Sequence, residues 1–125
     1  MTELGAGAEV IDATAFANLL EMTGGDRAFV DELVYTYLDE GATLVDRLRT
    51  AAASGATDEL MRAAHSLKSS SLNVGALPLG ERCRSLEADA RAGEVPDARD
   101  RAEEIAAAFD EARAALLAER EQRAG

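Results

Sequence analysis

Ala64-His65-Ser66-Leu67-Lys68-Ser69-Ser70-Ser71-Leu72-Asn73-Val74-Gly75-Ala76 is the stretch on which the reading of this 125-residue chain turns. Leu60, Ala64, Leu67, Ser71 and Val74 fall at steps of four and three, which is one face of an α-helix. His65, the only histidine, lies off that stripe. On a helix its neighbours one turn away are Met61, Lys68 and Ser69, and Leu72 follows a second turn on. Such a helix hides its aliphatic residues and presents an imidazole beside a lysine. That arrangement serves for using a histidine rather than burying one.

The composition around this helix points the same way. Apolar residues make up 47% of the chain but aromatic ones only 4%, so the apolar material is largely alanine and aliphatic side chains, which favour close-packed helices. The length fits one domain with one modest core. The net charge of −11 argues against nucleic-acid binding and against docking on anionic lipid. No apolar run approaches the roughly 20 residues of a membrane helix, and no signal peptide is visible. Cys83, the single cysteine, falls on an apolar stripe and reads as a small core residue in a reducing cytoplasm. The charge is unevenly spread. From Met61 to Leu86 the only acid is Glu81, against Arg62, Lys68, Arg82 and Arg84. This local basic setting is either chance clustering on a solvated face or a place that favours an anionic group.

Five helices can be laid out in order. Residues 1–9 read as a loose tail. A short first helix begins near Asp12, an N-cap candidate, and stops at Thr23-Gly24-Gly25. A second starts after Asp26 and runs to about Ala53, with Val30, Leu33, Tyr37, Leu44, Leu48 and Ala51 in one stripe that Phe29, Val34, Leu38 and Val45 widen. So wide a face is expected to be covered mostly by the first helix, the alternative being a partner protein. Gly41, in mid-helix, marks a close-packing point. The third helix is expected to be capped by Thr57, to carry His65 and to end before Gly75, which supplies a left-handed residue. In the fourth, Pro78 lies early and Leu79, Cys83, Leu86 and Ala90 repeat along one face. Gly93 and Pro96 interrupt the chain before a fifth helix striped by Ala98, Ala102, Ile105, Phe109, Ala112 and Leu116. The expected fold is all-α: an antiparallel up-down four-helix bundle with a short N-terminal capping helix. The domain spans 10–118, and 119–125 form a frayed C-terminal end.

His65-Ser66-Leu67-Lys68-Ser69, then Gly75-Ala76, then Cys83-Arg84-Ser85-Leu86-Glu87 together resemble the histidine-containing phosphotransfer (HPt) domain of two-component phosphorelays. Gly25-Asp26 with Phe29-Val30 and Glu32-Leu33 extends the likeness more weakly, so that it covers roughly residues 24–118. Ser69 departs from the pattern, which usually has glycine one turn after the histidine to leave room for a partner.

The resemblance implies that His65 is the phosphoacceptor, that Lys68 steadies the phosphoryl oxygens and that Glu87 accepts from the imidazole and selects its tautomer. Arg84 and Arg91 are weaker candidates for the phosphoryl oxygens. Plain alternatives are a solvated lysine and a surface acid. Met61, Ser69, Leu72 and Arg84 make up the expected docking rim. The implied partners are response-regulator receiver domains and a hybrid sensor histidine kinase. The receiver brings the Mg²⁺, and the chain has no cofactor of its own. A lone histidine without companions at ligand spacing is poor evidence for zinc, and no Walker or Gly-rich nucleotide fingerprint occurs, so a carrier without autokinase activity is expected. A monomer is expected. Two further readings stay open: a helical module that binds receivers without being phosphorylated, and the phosphoacceptor domain of a chemotaxis-type kinase. The chain reads as a stand-alone domain, with a larger parent left open.

Overall fold

The computed structural model describes residues 10–124; residues 1–9, expected as a loose tail, and Gly125 lie outside the described residues. Five helices follow one another: α1 (Ala13–Met22), α2 (Arg27–Ser54), α3 (Thr57–Asn73), α4 (Leu77–Arg91) and α5 (Ala98–Ala124). Among the described residues there is no strand, as the alanine-rich, turn-poor composition leads one to expect.

Local chemistry sets most of the helix ends. Asp12 accepts from the Ala15 amide at 2.8 Å and Asp26 from the Phe29 amide at 3.1 Å, so both work as N-caps. Gly55 ends α2 in the left-handed region at φ 73°. Thr57 is not the cap of α3. It already has helical geometry as the first residue, Ala56 takes the cap position without a side-chain bond, and the Thr57 hydroxyl turns back to the Gly55 carbonyl at 3.5 Å. Asp58 and Glu59 still sit in the first turn, where the helix dipole favours acids. Gly75 has φ 85° and its carbonyl accepts from the Asp12 amide at 2.7 Å, which ties the start of α1 to the turn between α3 and α4. A Cβ at Gly75 would lie 3.1 Å from the Asp12 carbonyl oxygen, so the position needs glycine twice over.

The helices pack in a ring: α2 on α3, α3 on α4, α4 on α5 and α5 back on α2. The stripe Leu60, Ala64, Leu67, Ser71 and Val74 is buried throughout, and Leu79, Cys83, Leu86 and Ala90 of α4 face it. Ser71, fully buried, shares a 2.8 Å hydrogen bond with the Tyr37 hydroxyl and so joins α3 to α2 without leaving a polar group unpaired. The wide face of α2 is divided differently from expectation. α1 is only ten residues long; its Leu19 and Met22 border an open groove with Leu33 and Tyr37, and Met22 stays exposed. Phe29 stays 45% exposed, and Leu38 lies in the groove toward Phe109 of α5.

Gly41 is a close-packing point. A Cβ there would sit 2.8 Å from Cζ of Phe109, whose ring is itself held in a tilted contact with Tyr37 at 5.8 Å between centroids. Alanine would gain about 1 kcal/mol of helix propensity but would force the buried ring aside, an overpacking cost of about 1–3 kcal/mol. The expected result for Gly41→Ala is therefore a net loss of stability, read as a lower urea midpoint at unchanged slope; a stabilised variant would contradict the packing described.

Candidate functional site

His65 lies on the third turn of α3, on the side facing α4. Gly80 of α4 lets the two helices approach, since a Cβ there would come within 2.9 Å of Leu72 Cγ. Two turns along, that closeness brings Glu87 against His65. Glu87 follows Cys83 by four residues and precedes Ala90 by three, so it falls on the buried stripe, and its side chain is only 4% exposed.

A carboxylate held there needs cations, because an unpaired buried charge is strongly destabilising. It has three partners. His65 Nδ1 is 2.9 Å from Oε2, Arg91 donates to the same oxygen at 2.7 Å, and Lys68 Nζ lies 2.7 Å from Oε1. The Lys68 ammonium lies against Oε1 as a close ion pair, outside regular hydrogen-bond angles. The Lys68 ammonium foremost, then Arg91 and His65, overcome the cost of burial and hold the Glu87 carboxyl down to about 2 from its ordinary 4.5.

The ionisation of Glu87 decides the state of the ring. A carboxylate can only accept, so Nδ1 of a neutral His65 carries the proton and Nε2 keeps its lone pair. The His65 side chain is 58% exposed, against 4% for its partner. The site is thus a half-exposed imidazole with one nitrogen pinned to a buried anion and the other available as a nucleophile.

The other residues singled out in the sequence are placed unequally. Lys68, 23% exposed, is drawn to Glu87. Arg84 pairs with Glu81 of its own helix rather than with His65 or Glu87. Leu72 is 44% exposed and lies over Gly80, Ser69 is exposed, and Met61 is half-buried against the core. Arg91 had a place only among weak candidates for phosphoryl oxygens; the structure puts it on Glu87. The i, i+4 spacing of Glu87 and Arg91 was the available signal.

Cys83 is fully buried, and burial, with the nearby Glu87 charge, pushes its thiol up to about 12, so it is an inert core residue. Among the described residues no three His, Cys, Asp or Glu side chains are grouped to hold a metal ion, and no helix is long and apolar enough to cross a membrane.

The family model described as Hpt domain matches residues 32–115. Among solved structures, the chain is similar to the crystal structure of histidine-containing phosphotransfer protein B (HptB) from Pseudomonas aeruginosa PAO1. The two are 29% identical with a TM-score of 0.84, over 92% of this chain and 97% of that one. No curated protein matches the sequence.

Proposed function

This chain belongs to the Hpt domain family, a histidine phosphotransfer protein of a phosphorelay, and on that premise we propose that it takes and gives a phosphoryl group on His65 between receiver domains, or from a hybrid histidine kinase. The observation that carries the assignment to His65 is the 2.9 Å contact between its Nδ1 and the buried Glu87 carboxylate.

In this reading the Nε2 lone pair attacks the phosphorus of a receiver's phosphoaspartate in line. The Nε2–P bond forms as the P–O bond breaks, and the electron pair leaves on the aspartate carboxylate. Nδ1 keeps its proton, and Glu87 offsets the positive character that the ring gains. Lys68, three residues on and on the same face, turns from Glu87 to the phosphoryl oxygens. The reverse sequence hands the group to the next receiver. The chain's own contribution is position and electrostatics.

Glu87 is the carboxylate in contact with the imidazole, and cations hold both its oxygens, so it is ill suited to bind Mg²⁺. We assign the ion to the receiver's acidic pocket. The docking rim of Met61, Ser69, Leu72 and Arg84 belongs to the same proposal, as do a cytoplasmic monomer and an antiparallel up-down arrangement of α2–α5 with α1 across one end. The ring of helix contacts supports that arrangement.

The test is to incubate the purified chain with a phosphorylated receiver domain and Mg²⁺ and to look by mass spectrometry for an acid-labile, base-stable phosphate on the His65 peptide. No transfer from a panel of receivers, with binding still detectable, would favour a module that acts by binding alone.

A further inference from the structure

We propose that Arg91 is a positioning residue for phosphoryl transfer: it holds the buried Glu87 carboxylate, so that Lys68 can leave that carboxylate for the phosphoryl group without stranding its charge. This rests on the carrier reading above, in which Lys68 serves the phosphoryl oxygens.

The argument starts from the way Glu87 divides its two oxygens. Oε2 takes an aligned bond from Arg91 at 2.7 Å together with His65 Nδ1 at 2.9 Å. Oε1 has Lys68 alone, at 2.7 Å and out of alignment. The lysine is therefore the partner whose departure leaves both contacts at Oε2 in place, and it is also the one on the histidine's own helical face. A phosphoryl group on His65 would bring nearly two negative charges beside it, a stronger attraction than the single carboxylate.

Lys68 cannot leave freely, however, if it is the carboxylate's main counter-charge. Glu87 is 4% exposed, and stripping a partner from a buried charge is costly. Arg91 removes that obstacle. It lies four residues on along the same helix, so its bond to Glu87 does not depend on how α3 and α4 shift. Its side chain is 63% exposed, reaching the carboxylate from outside. Arg91 touches neither the phosphoryl group nor the reacting nitrogen; it works through Glu87.

The experiment uses the full chain and potassium phosphoramidate, a donor that phosphorylates imidazole without a protein partner. The Nε2–P bond forms, the donor's P–N bond breaks and ammonia leaves. Initial rates of phosphate gain on His65 are compared for the unmutated protein, Arg91→Ala, Arg91→Lys, Lys68→Ala and Lys68→Ala/Arg91→Ala, each checked for folding by circular dichroism. Arg91→Ala should be about tenfold slower, the worth of one charge-assisted bond. Arg91→Lys should recover most of the rate. With Lys68 already removed, Arg91→Ala should make no further difference, because no ammonium remains to be released. If the double variant does not fold, Glu87→Gln gives the same comparison, since an uncharged amide needs neither cation. Arg91→Ala reacting at the unmutated rate would overturn the proposal. So would an equal slowing with and without Lys68, which would place Arg91 on the phosphoryl group itself. No phosphate on His65 of the unmutated protein would instead strike the carrier reading, and this proposal with it.

Discussion

His65→Gln is expected to keep all five helices and to lose phosphoryl acceptance altogether. The side chain is 58% exposed, so little core packing goes with it, and glutamine is a good helix former. Glu87 would keep Lys68 and Arg91, so its charge stays compensated. The stability change should fall within about 0.5 kcal/mol, as for an ordinary surface substitution. The chemistry has no substitute. The carboxamide nitrogen has its lone pair delocalised into the carbonyl, and the chain has no second histidine. Neither Ser70, which donates to the Ser66 carbonyl at 3.1 Å, nor Ser71, which is buried against Tyr37, is placed to step in. The measurement is phosphate gain from a phosphorylated receiver, with a thermal melt alongside. An acid-labile phosphate persisting on the folded variant would place the acceptor elsewhere.

Features that depend on a few neighbouring residues were legible before any coordinates. The α3 stripe from Leu60 to Val74, the cap at Asp12, the start of α2 after Asp26 and the left-handed glycine at 75 are all local, and each stands where the sequence puts it. Thr57 failed by one position because a hydroxyl next to a left-handed turn has two places to bond, and spacing alone does not choose between them. The cover of α2 was misjudged because it depends on the reach and tilt of a ten-residue helix, which no periodicity records. Glu87 is the instructive case. Its pairing with the histidine was suggested by family likeness. Its burial could be read from its spacing to Cys83 and Ala90, but the meeting of His65 and Lys68 with it could not, because that follows from how closely α4 approaches α3 at Gly80. Arg91 stands four residues after Glu87, a spacing that suggests the pair, but its role exists only once Glu87 is known to face His65.

Glu87 should accordingly give the second large effect, and in two separable measurements. Glu87→Leu removes the acceptor that keeps the proton on Nδ1, so part of the imidazole population would present a protonated Nε2, which cannot attack phosphorus. It also removes the charge that offsets the ring as the N–P bond forms. Phosphoryl acceptance should fall on the order of 100-fold, the scale seen when a group that orients an imidazole is lost. Glu87→Gln, whose amide oxygen can still accept from Nδ1, should fall less. The second measurement is stability against pH. The folded carboxyl is depressed to about 2 from 4.5, so its contribution is fully present above 4.5 and drains away as the pH falls toward 2. Over that window the unmutated protein should lose on the order of 3 kcal/mol relative to Glu87→Gln. Other acids, including the exposed Glu59, Glu81 and Glu103, are common to both proteins and cancel in the difference. Urea midpoints of the two proteins at pH 6 and at about pH 2.5 decide it. Parallel curves would mean that the carboxylate is not held by its cations as described, and the tautomer argument for His65 would lose its footing.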